Sequence, residues 1–320
     1  MQFWFKRLAL VAAVIGLAAC GGNDDDHNPA PAAPATPSIA QVAQSNGLTA
    51  LVAAATKAGL VPTLSNPGTL TVFAPTDAAF NALATQLGFA NATALVTALP
   101  ASALESILTY HVLGTRQTAT DLSGGANTRA TLYSFGGAPA TLRVGTTGGV
   151  TLTDAVLTAA NVVTPNVAAS NGIVHVIDKV LVPPGVLNVV QMAQANPAFS
   201  TLVGAVSARG LVGTLSGAGP FTVFAPTNDA FAAIASTVAA LTPTQLTTVL
   251  TYHVLGSQVL STGIPFGTPV NTLANQTITI NASPLGITDT TTTPAPITAT
   301  DIRASNGVIH VISKVLLPTL

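Results

Sequence analysis

The feature that most constrains this chain is a long internal repeat, in which three blocks of sequence occur twice in the same order. The first block reads Thr-Val-Phe-Ala-Pro-Thr, the second reads Tyr-His-Val-Leu-Gly, and the third begins with Asn-Gly and continues as a hydrophobic run. The copies lie at residues 71–80 and 222–231, 110–114 and 252–256, and 171–180 and 306–315. Solenoid repeats are only about 20–50 residues long. The much longer period here indicates two duplicated domains.

The boundary between the predicted domains falls at Pro183-Pro184-Gly185, a sequence that interrupts regular structure. We therefore predict a first domain at residues 38–184 and a second at residues 185–320. Hydrophobic residues make up 48% of the 320 residues and charged residues 7%, a balance that favours folded domains over disorder. The net charge is -1 and the basic residues are scattered singly, so a nucleic-acid partner is not expected.

The start of the chain has the pattern of an export signal. Lys6 and Arg7 precede an unbroken hydrophobic run at residues 8–19. That run is shorter than the about 20 residues a membrane-spanning helix needs, and it suits a signal peptide. It ends in Leu-Ala-Ala-Cys-Gly and so resembles a lipobox, the site at which an exported lipoprotein is cleaved and lipidated. We predict a signal peptide with a lipobox at residues 1–19.

Cys20 is the predicted lipidation site. It is the only cysteine of the chain, which favours this interpretation over an incidental cysteine after an ordinary signal peptide. A Pro/Ala-rich tether is predicted at residues 20–37. By resemblance to Gram-negative lipoprotein sorting, the glycine after Cys20 favours the outer membrane. We expect an exported protein, lipid-anchored to the outer membrane through Cys20 and facing the periplasm or the cell surface.

Each copy of the repeat predicts helices first and strands later. The Thr-Val-Phe-Ala run is typical of a buried strand, and Thr76 or Thr227 after it is placed to cap a helix. Phe80 and Phe231 then point into the core. The later part of each copy is rich in Thr, Gly and Val with the alternation of strands. The predicted fold class is α+β: a mostly antiparallel β-sandwich with flanking helices, repeated twice.

The three blocks resemble the signatures of the fasciclin domain family, and the resemblance covers about residues 38–320. Each block alone is a weak signal, but all three occur twice, in order and at compatible spacing. The resemblance implies a fasciclin-like fold, which is a compact β-sandwich with flanking helices. It also implies a secreted or surface-anchored protein that makes cell-adhesion or matrix contacts.

Candidate adhesion residues also follow from the resemblance. In animal members, integrin binding is associated with an Asp-Ile pair just before the Asn-Gly turn and with the Tyr-His region. Asp301 and Ile302 match that pair in the second copy, whereas Asn166 and Val167 stand there in the first. The candidates are Asp301, Ile302, Tyr252, His253, Tyr110 and His111.

A structural interpretation of the same candidates stays open. The tyrosine hydroxyls and histidine rings can be buried and bonded locally, and a loop aspartate before a turn needs no special cause. A metal site has little support, because the only carboxylate that recurs beside the repeated histidines is Asp154 or Asp289. The chain also lacks G-x-S-x-G, H-E-x-x-H and P-loop motifs. We expect no catalytic residues, no metal and no cofactor.

The leading functional hypothesis is a membrane-tethered adhesion protein that contacts a cell-surface or matrix protein or a polysaccharide. Two copies would raise the avidity of a modest single contact. One alternative is an envelope-internal binding module for a small apolar ligand or a protein partner, which an accessible apolar groove would favour. A further alternative is a hydrolase acting on a surface polymer.

Overall fold

Each copy of the repeat folds as a seven-stranded sheet with helices, and two of its strands lie between helices in the chain order while the other five follow them. The structure is a computed structural model that describes residues 36–320, which form one compact unit. The predicted signal peptide, Cys20 and all but the end of the predicted tether lie outside the described residues. Within residues 36–320 no single helix is long and apolar enough to cross a membrane, although two consecutive helices, bent by 117°, reach that length together.

The first copy contains seven helices and seven strands. Its helices are α1 (Ile39–Ser45), α2 (Thr49–Lys57), α3 (Val61–Ser65), α4 (Asp77–Gln86), α5 (Ala92–Ala98), α6 (Ala101–Tyr110) and α7 (Ala119–Gly124). Its strands are β1 (Leu70–Pro75), β2 (Val112–Leu113), β3 (Thr128–Phe135), β4 (Ala138–Gly145), β5 (Thr151–Thr153), β6 (Ala159–Ala169) and β7 (Gly172–Ile177). The strand order in the sheet is β2-β1-β7-β6-β5-β4-β3.

The second copy repeats this plan, with a 3-10 helix at Ser261–Gly263 where the first copy has α7. Its helices are α8 (Val189–Gln194), α9 (Ser200–Ala208), α10 (Val212–Ser216), α11 (Asn228–Ala232), α12 (Ala235–Ala240) and α13 (Pro243–Tyr252), with 3-10 helices at Pro197–Phe199 and Ser261–Gly263. Its strands are β8 (Phe221–Pro226), β9 (Val254–Leu255), β10 (Pro269–Asn271), β11 (Thr277–Ala282), β12 (Leu285–Thr288), β13 (Ala295–Ala304) and β14 (Gly307–Ile312). Their order is β10-β11-β12-β13-β14-β8-β9.

The predicted α+β fold, repeated twice, is confirmed, and the sheets differ from an antiparallel sandwich in one respect. The strand of the first signature, β1 or β8, pairs in parallel with the strand of the last, β7 or β14. The other neighbours are antiparallel, so each sheet is mixed. β2 also contacts β3, so the first sheet is nearly closed. Parallel strands occur where both faces of the sheet are covered, and almost every residue of these two strands is buried.

The parallel pair brings two backbones very close together at one glycine in each copy. Gly172 lies opposite Leu70 in the register of β7 and β1, and a Cβ on this glycine would run into the carbonyl oxygen of Leu70. Gly307 stands in the same relation to Phe221 in the second copy. The glycine of the Asn-Gly signature is therefore required by close backbone approach.

The asparagine of the same signature fastens the start of each copy to its last hairpin. The side-chain oxygen of Asn171 accepts a hydrogen bond from the backbone N–H of Ile39 at 2.9 Å, and its amide donates to the carbonyl of Leu64 at 3.0 Å. Asn306 makes the equivalent bonds in the second copy, with Val189 as the donor at 2.9 Å. The first helix of each copy is thereby tied to the turn between the last two strands.

The two copies pack against each other directly. The Arg303 guanidinium of the second copy lies over the ring of Phe135 of the first, 5.3 Å from its centroid. Asn196 of the second copy donates to the buried carbonyl of Val156 of the first at 2.8 Å. One hydrophobic cluster runs through helices of both copies, and each sheet also has a cluster of its own.

Candidate adhesion surface

The two candidate tyrosines lie inside the fold. Tyr110 is 1% exposed and its hydroxyl donates to the carbonyl of Thr141 at 3.0 Å, while Tyr252 is 0% exposed and donates to the carbonyl of Thr277 at 2.8 Å. Burial raises the pKa of both hydroxyls above the usual value for tyrosine. Each tyrosine is the last residue of its helix, α6 or α13, and joins that helix to the sheet. The two side chains are therefore not positioned to contact a partner. The structural interpretation of these tyrosines fits their environment.

The candidate histidines of the Tyr-His signature are buried as well. In His111, Nδ1 lies 2.7 Å from the carbonyl oxygen of Ile107 and Nε2 accepts a hydrogen bond from the backbone N–H of Leu181 at 2.9 Å. A backbone amide can only donate, so Nε2 carries no proton and the ring is neutral. Burial lowers the pKa of His111, and of the equivalent His253, to about 4. These rings fasten the end of a helix to the segment after the last strand.

The other repeated histidine holds a bulge in the long strand before the Asn-Gly turn. His175 Nε2 lies 2.9 Å from the carbonyl of Gln117, and its Nδ1 accepts from the backbone N–H of Asn166 at 3.3 Å. In the second copy, His310 receives the N–H of Asp301 at 3.4 Å in the same way. Burial lowers the pKa of both rings, which favours the neutral form that can accept these bonds.

Asn166 and Asp301 occupy the same position in the two copies and perform the same local task. Both have a left-handed backbone, with φ values of 61° each. The side-chain oxygen of Asn166 accepts from the backbone N–H of Ala119 at 2.9 Å, at the start of α7, and Asp301 accepts from the N–H of Ser261 at 2.9 Å, at the start of the 3-10 helix. Asn and Asp are the residues that tolerate this backbone conformation best after glycine. The Asp-to-Asn difference between the copies therefore preserves the local fold.

Ile302, the other half of the Asp-Ile pair, is only 3% exposed and packs in the hydrophobic cluster shared by both copies. Like the candidate tyrosines and histidines, Ile302 is not placed to contact a partner directly, because its side chain is covered by the protein itself. Asp301 is the one candidate that keeps partial access to solvent.

The strand before the Asn-Gly turn contains a bulge segment next to this aspartate, which was not predicted from the sequence. The antiparallel pairing shifts register on either side of it in both copies, and we define the bulge segments as residues 163–166 and 298–301. Val163 is 52% exposed, and the neighbouring Thr164 and Pro165 are exposed as well. A proline inside a long strand is a signal that could have indicated the bulge.

Asp154 and Asp289, the carboxylates that recur in both copies, are occupied within the fold. Asp154 forms an ion pair with Lys179 and accepts from the backbone N–H of Val182 at 3.0 Å. Asp289 lies 3.4 Å from Lys314 and makes the equivalent backbone bond. Among residues 36–320, no three His, Cys, Asp or Glu side chains are close enough together to hold a metal ion.

Replacing Asp301 with Ala is expected to lower the free energy of unfolding by about 1–2 kcal/mol. Two hydrogen bonds to Ser261 are lost, and alanine must adopt the left-handed backbone conformation without a side-chain hydrogen bond to stabilise it. Asp301→Asn is expected to stay within about 0.5 kcal/mol of the parent protein, since Asn166 fills this role in the first copy. Urea denaturation of both variants measures the difference. Equal stability of Asp301→Ala and the parent would contradict the capping role.

The repeated fold defines a class of tandem α+β domain proteins, in which each domain is a helix-covered, mixed sheet of seven strands. The family model of the fasciclin domain matches residues 46–183 and residues 197–318. The chain belongs to the fasciclin domain family.

Several relatives resemble this chain over one or both copies. It is 42% identical over 139 residues to Protein sll1483 of Synechocystis sp., covering 42% of this chain and 75% of that protein. It is 31% identical over 262 residues to Transforming growth factor-beta-induced protein ig-h3 of Sus scrofa, covering 81% of this chain but 36% of that protein. The Immunogenic protein MPB70 of Mycobacterium bovis is 37% identical over 134 residues, covering 39% of this chain and 66% of that protein.

A solved structure of a FAS1 domain pair from the insect cell adhesion molecule Fasciclin I aligns with a TM-score of 0.43 and 18% identity. That alignment covers 87% of this chain and 95% of the other. Because this chain spans well under two thirds of ig-h3, the partners of that longer protein do not transfer with the family.

Proposed function

We propose that this protein is exported, anchored to a membrane by a lipid on Cys20, and that its two fasciclin domains bind a partner cell, a matrix protein or a polysaccharide. Membership of the fasciclin family supports a binding or cell-adhesion role. The observation that carries the proposal is the bulge segment, which recurs in both copies and is held in place by a buried histidine. It is exposed along its length in the first copy and at Thr298 in the second. Such an arrangement presents a short, fixed stretch of backbone to a partner, with side chains that are uncharged apart from Asp301.

The charge distribution supports short-range contacts over long-range attraction. Many charged groups of the described residues are bonded within the fold, as in the ion pairs of Asp154 and Asp289. Lys57 donates to two backbone carbonyls, and Arg129 donates to the carbonyls of Asp121 and Leu122. Little charge is left to steer a ligand from a distance. Binding should therefore depend weakly on salt.

The packing of the copies supports binding at two places with a fixed separation. The contacts of Arg303 with Phe135 and of Asn196 with Val156 fasten the second domain to the first. A partner with a repeating surface, such as a polysaccharide or a cell surface, can then contact both domains and gain avidity. The hydrolase alternative has no such support from the described histidines. Both ring nitrogens of each of them face backbone groups.

Adhesion of coated beads tests the proposal. Beads carrying residues 36–320 are presented to host cells and to extracted exopolysaccharide at salt concentrations from about 0.05 to 0.5 M. Saturable binding that changes little with salt is expected. A charge placed on each bulge segment, Val163→Asp with Thr298→Asp, should reduce binding, whereas Ser102→Asp on the exposed start of α6 should not. Absence of binding by the folded parent protein, or equal loss in the control variant, would overturn the proposal.

Replacing Cys20 with Ser is expected to abolish lipid labelling of the protein and to move it from the membrane fraction to the soluble fraction. The physical reason is that a lipid anchor holds a protein through its buried methylene groups, and serine offers no thiol for attachment. Fractionation of cells fed a labelled fatty acid measures both effects. Asn23→Gln in the predicted tether is the control and should stay in the membrane fraction. Unchanged membrane association of Cys20→Ser would contradict the proposed anchor.

A further inference from the structure

Both copies contain an apolar cavity beneath their first helices. That of the first copy lies against the parallel strand pair, whereas that of the second extends toward Leu250 and His253. The cavity of the first copy has a volume of about 100 Å³, and its walls come from α1, α2, α3, β1 and β7. The corresponding cavity of the second copy has a volume of only about 30 Å³. The larger cavity reaches the surface beside Val61, which is 36% exposed.

Side-chain size explains the difference between the copies. Ala40 and Ala55 line the cavity of the first copy, and Val190 and Val206 stand at the equivalent positions of the second. The β7 residue Val174 is likewise replaced by the longer Ile309 in β14. The added methyl groups fill most of the space in the second copy. The second copy therefore shows what the same fold looks like with the cavity nearly closed.

The chemistry of the walls limits what can occupy the larger cavity. Its lining is aliphatic apart from Gln44 and Thr56, and the Thr56 hydroxyl already donates to the carbonyl of Val52 at 2.8 Å. No ionisable side chain lines it, so a charged occupant would lose its hydration without gaining an opposite charge. The complementary occupant is uncharged and apolar.

We propose that the first domain binds a small uncharged hydrocarbon in this cavity and that the second domain does not. The volume is of the same order as the roughly 150 Å³ apolar cavity that stays dry and accepts benzene or xenon in an engineered protein. It is below the about 300 Å³ of sites for drug-sized ligands, so the ligand is limited to a single small ring or a short alkyl group. This site is separate from the bulge segments and goes beyond the proposed adhesion.

A titration with benzene, followed by the NMR signals of valine methyl groups, tests the proposal. Residues 36–320 are used because they form one compact unit with its own hydrophobic clusters. Saturable shifts are expected for Val52, Val72 and Val174 of the first copy but not for Val203 or Val223, which stand at equivalent places in the second. Benzoate, which has the same ring but carries a charge, should give no saturable shift.

Exchange of side chains between the copies gives the matched variants. Ala40→Val with Ala55→Val should weaken benzene binding at least about tenfold, because the added methyl groups occupy the cavity and even one methylene group disturbs a packed core. The control Ala53→Val, on the exposed side of α2, should leave binding unchanged. The reciprocal pair Val190→Ala with Val206→Ala should create binding in the second copy, which keeps the test valid if the first pair fails to fold.

Three results would overturn the proposal: no saturable shift in the parent protein, equal shifts in both copies, or undiminished binding in the folded Ala40→Val, Ala55→Val variant. Adhesion of the coated beads is a separate readout, so failure at this cavity is distinguishable from failure of the adhesion proposal.

Discussion

Replacing Gly172 with Ala is expected to lower the free energy of unfolding by about 3 kcal/mol, one of the largest effects of any single methyl group in this chain. The new Cβ would collide with the carbonyl oxygen of Leu70, which belongs to the backbone of the buried strand β1 and cannot rotate away. The parallel pair would have to separate, and all of β1 and β7 would lose packing. Thermal and urea unfolding measure the change. Gly307→Ala should have a similar effect in the second copy.

The matched control is Gly204→Ala. Gly204 lies in helix α9, and a Cβ built on it meets no atom within 4 Å. Alanine favours a helix over glycine by about 0.5–1 kcal/mol, so this variant should be slightly more stable than the parent. Equal stability of Gly172→Ala and Gly204→Ala would show that β1 and β7 can accommodate a Cβ at this position. Close backbone approach would then not be the reason for the glycine of the Asn-Gly signature.

Acidification is expected to destabilise the protein well before its carboxylates protonate. His111 and His253 have pKa values of about 4 in the folded protein, against 6.5 for an unperturbed histidine. Above about pH 6.5 the rings are neutral in both the folded and the unfolded chain, and the stability is complete. Between pH 6.5 and about 4 these histidines are protonated in the unfolded chain but not in the folded protein, so stability decreases as the pH is lowered. The loss is about 3 kcal/mol for each ring.

The buried rings of His175 and His310 add to the loss in the same direction, because burial lowers their pKa values too. Urea midpoints measured from pH 7.5 to 4.5 give the stability, and the Cε1 proton signals of the histidines give the pKa values directly. We expect the signals of His111 and His253 not to titrate near pH 6.5. A ring that titrates there in the folded state would show that its Nε2 is free, contrary to the bond between His111 and Leu181.

Local features of the repeat were predictable because they depend on residues close in sequence. Thr76 and Thr227 cap helices as expected, accepting from the N–H groups of Ala79 and Ala230 at 3.1 and 3.3 Å. The Thr-Val-Phe-Ala run forms a buried strand in both copies. Helices come first and strands later, as the change of hydrophobic period indicates.

Features that depend on distant partners were not predictable in the same way. The sequence identifies β1 and β7 as strands, but about a hundred residues lie between them and nothing local indicates that they pair in parallel. The role of Asp301 depends on Ser261, a residue 40 positions earlier. Its match to the Asp-Ile pair therefore suggested a contact residue, while the structure shows a side chain engaged with its own domain.

The bonds of Asn171 also determine how a pulling force would pass through a tethered protein. Besides the link from Asn171 to Ile39, the backbone N–H of Ser170 donates to the carbonyl of Pro37 at 2.9 Å. Tension on the chain ahead of Pro37 is therefore carried first to the hairpin of β6 and β7, in the middle of the sheet. Helix α1 would therefore not be the first element to be pulled away under such a load.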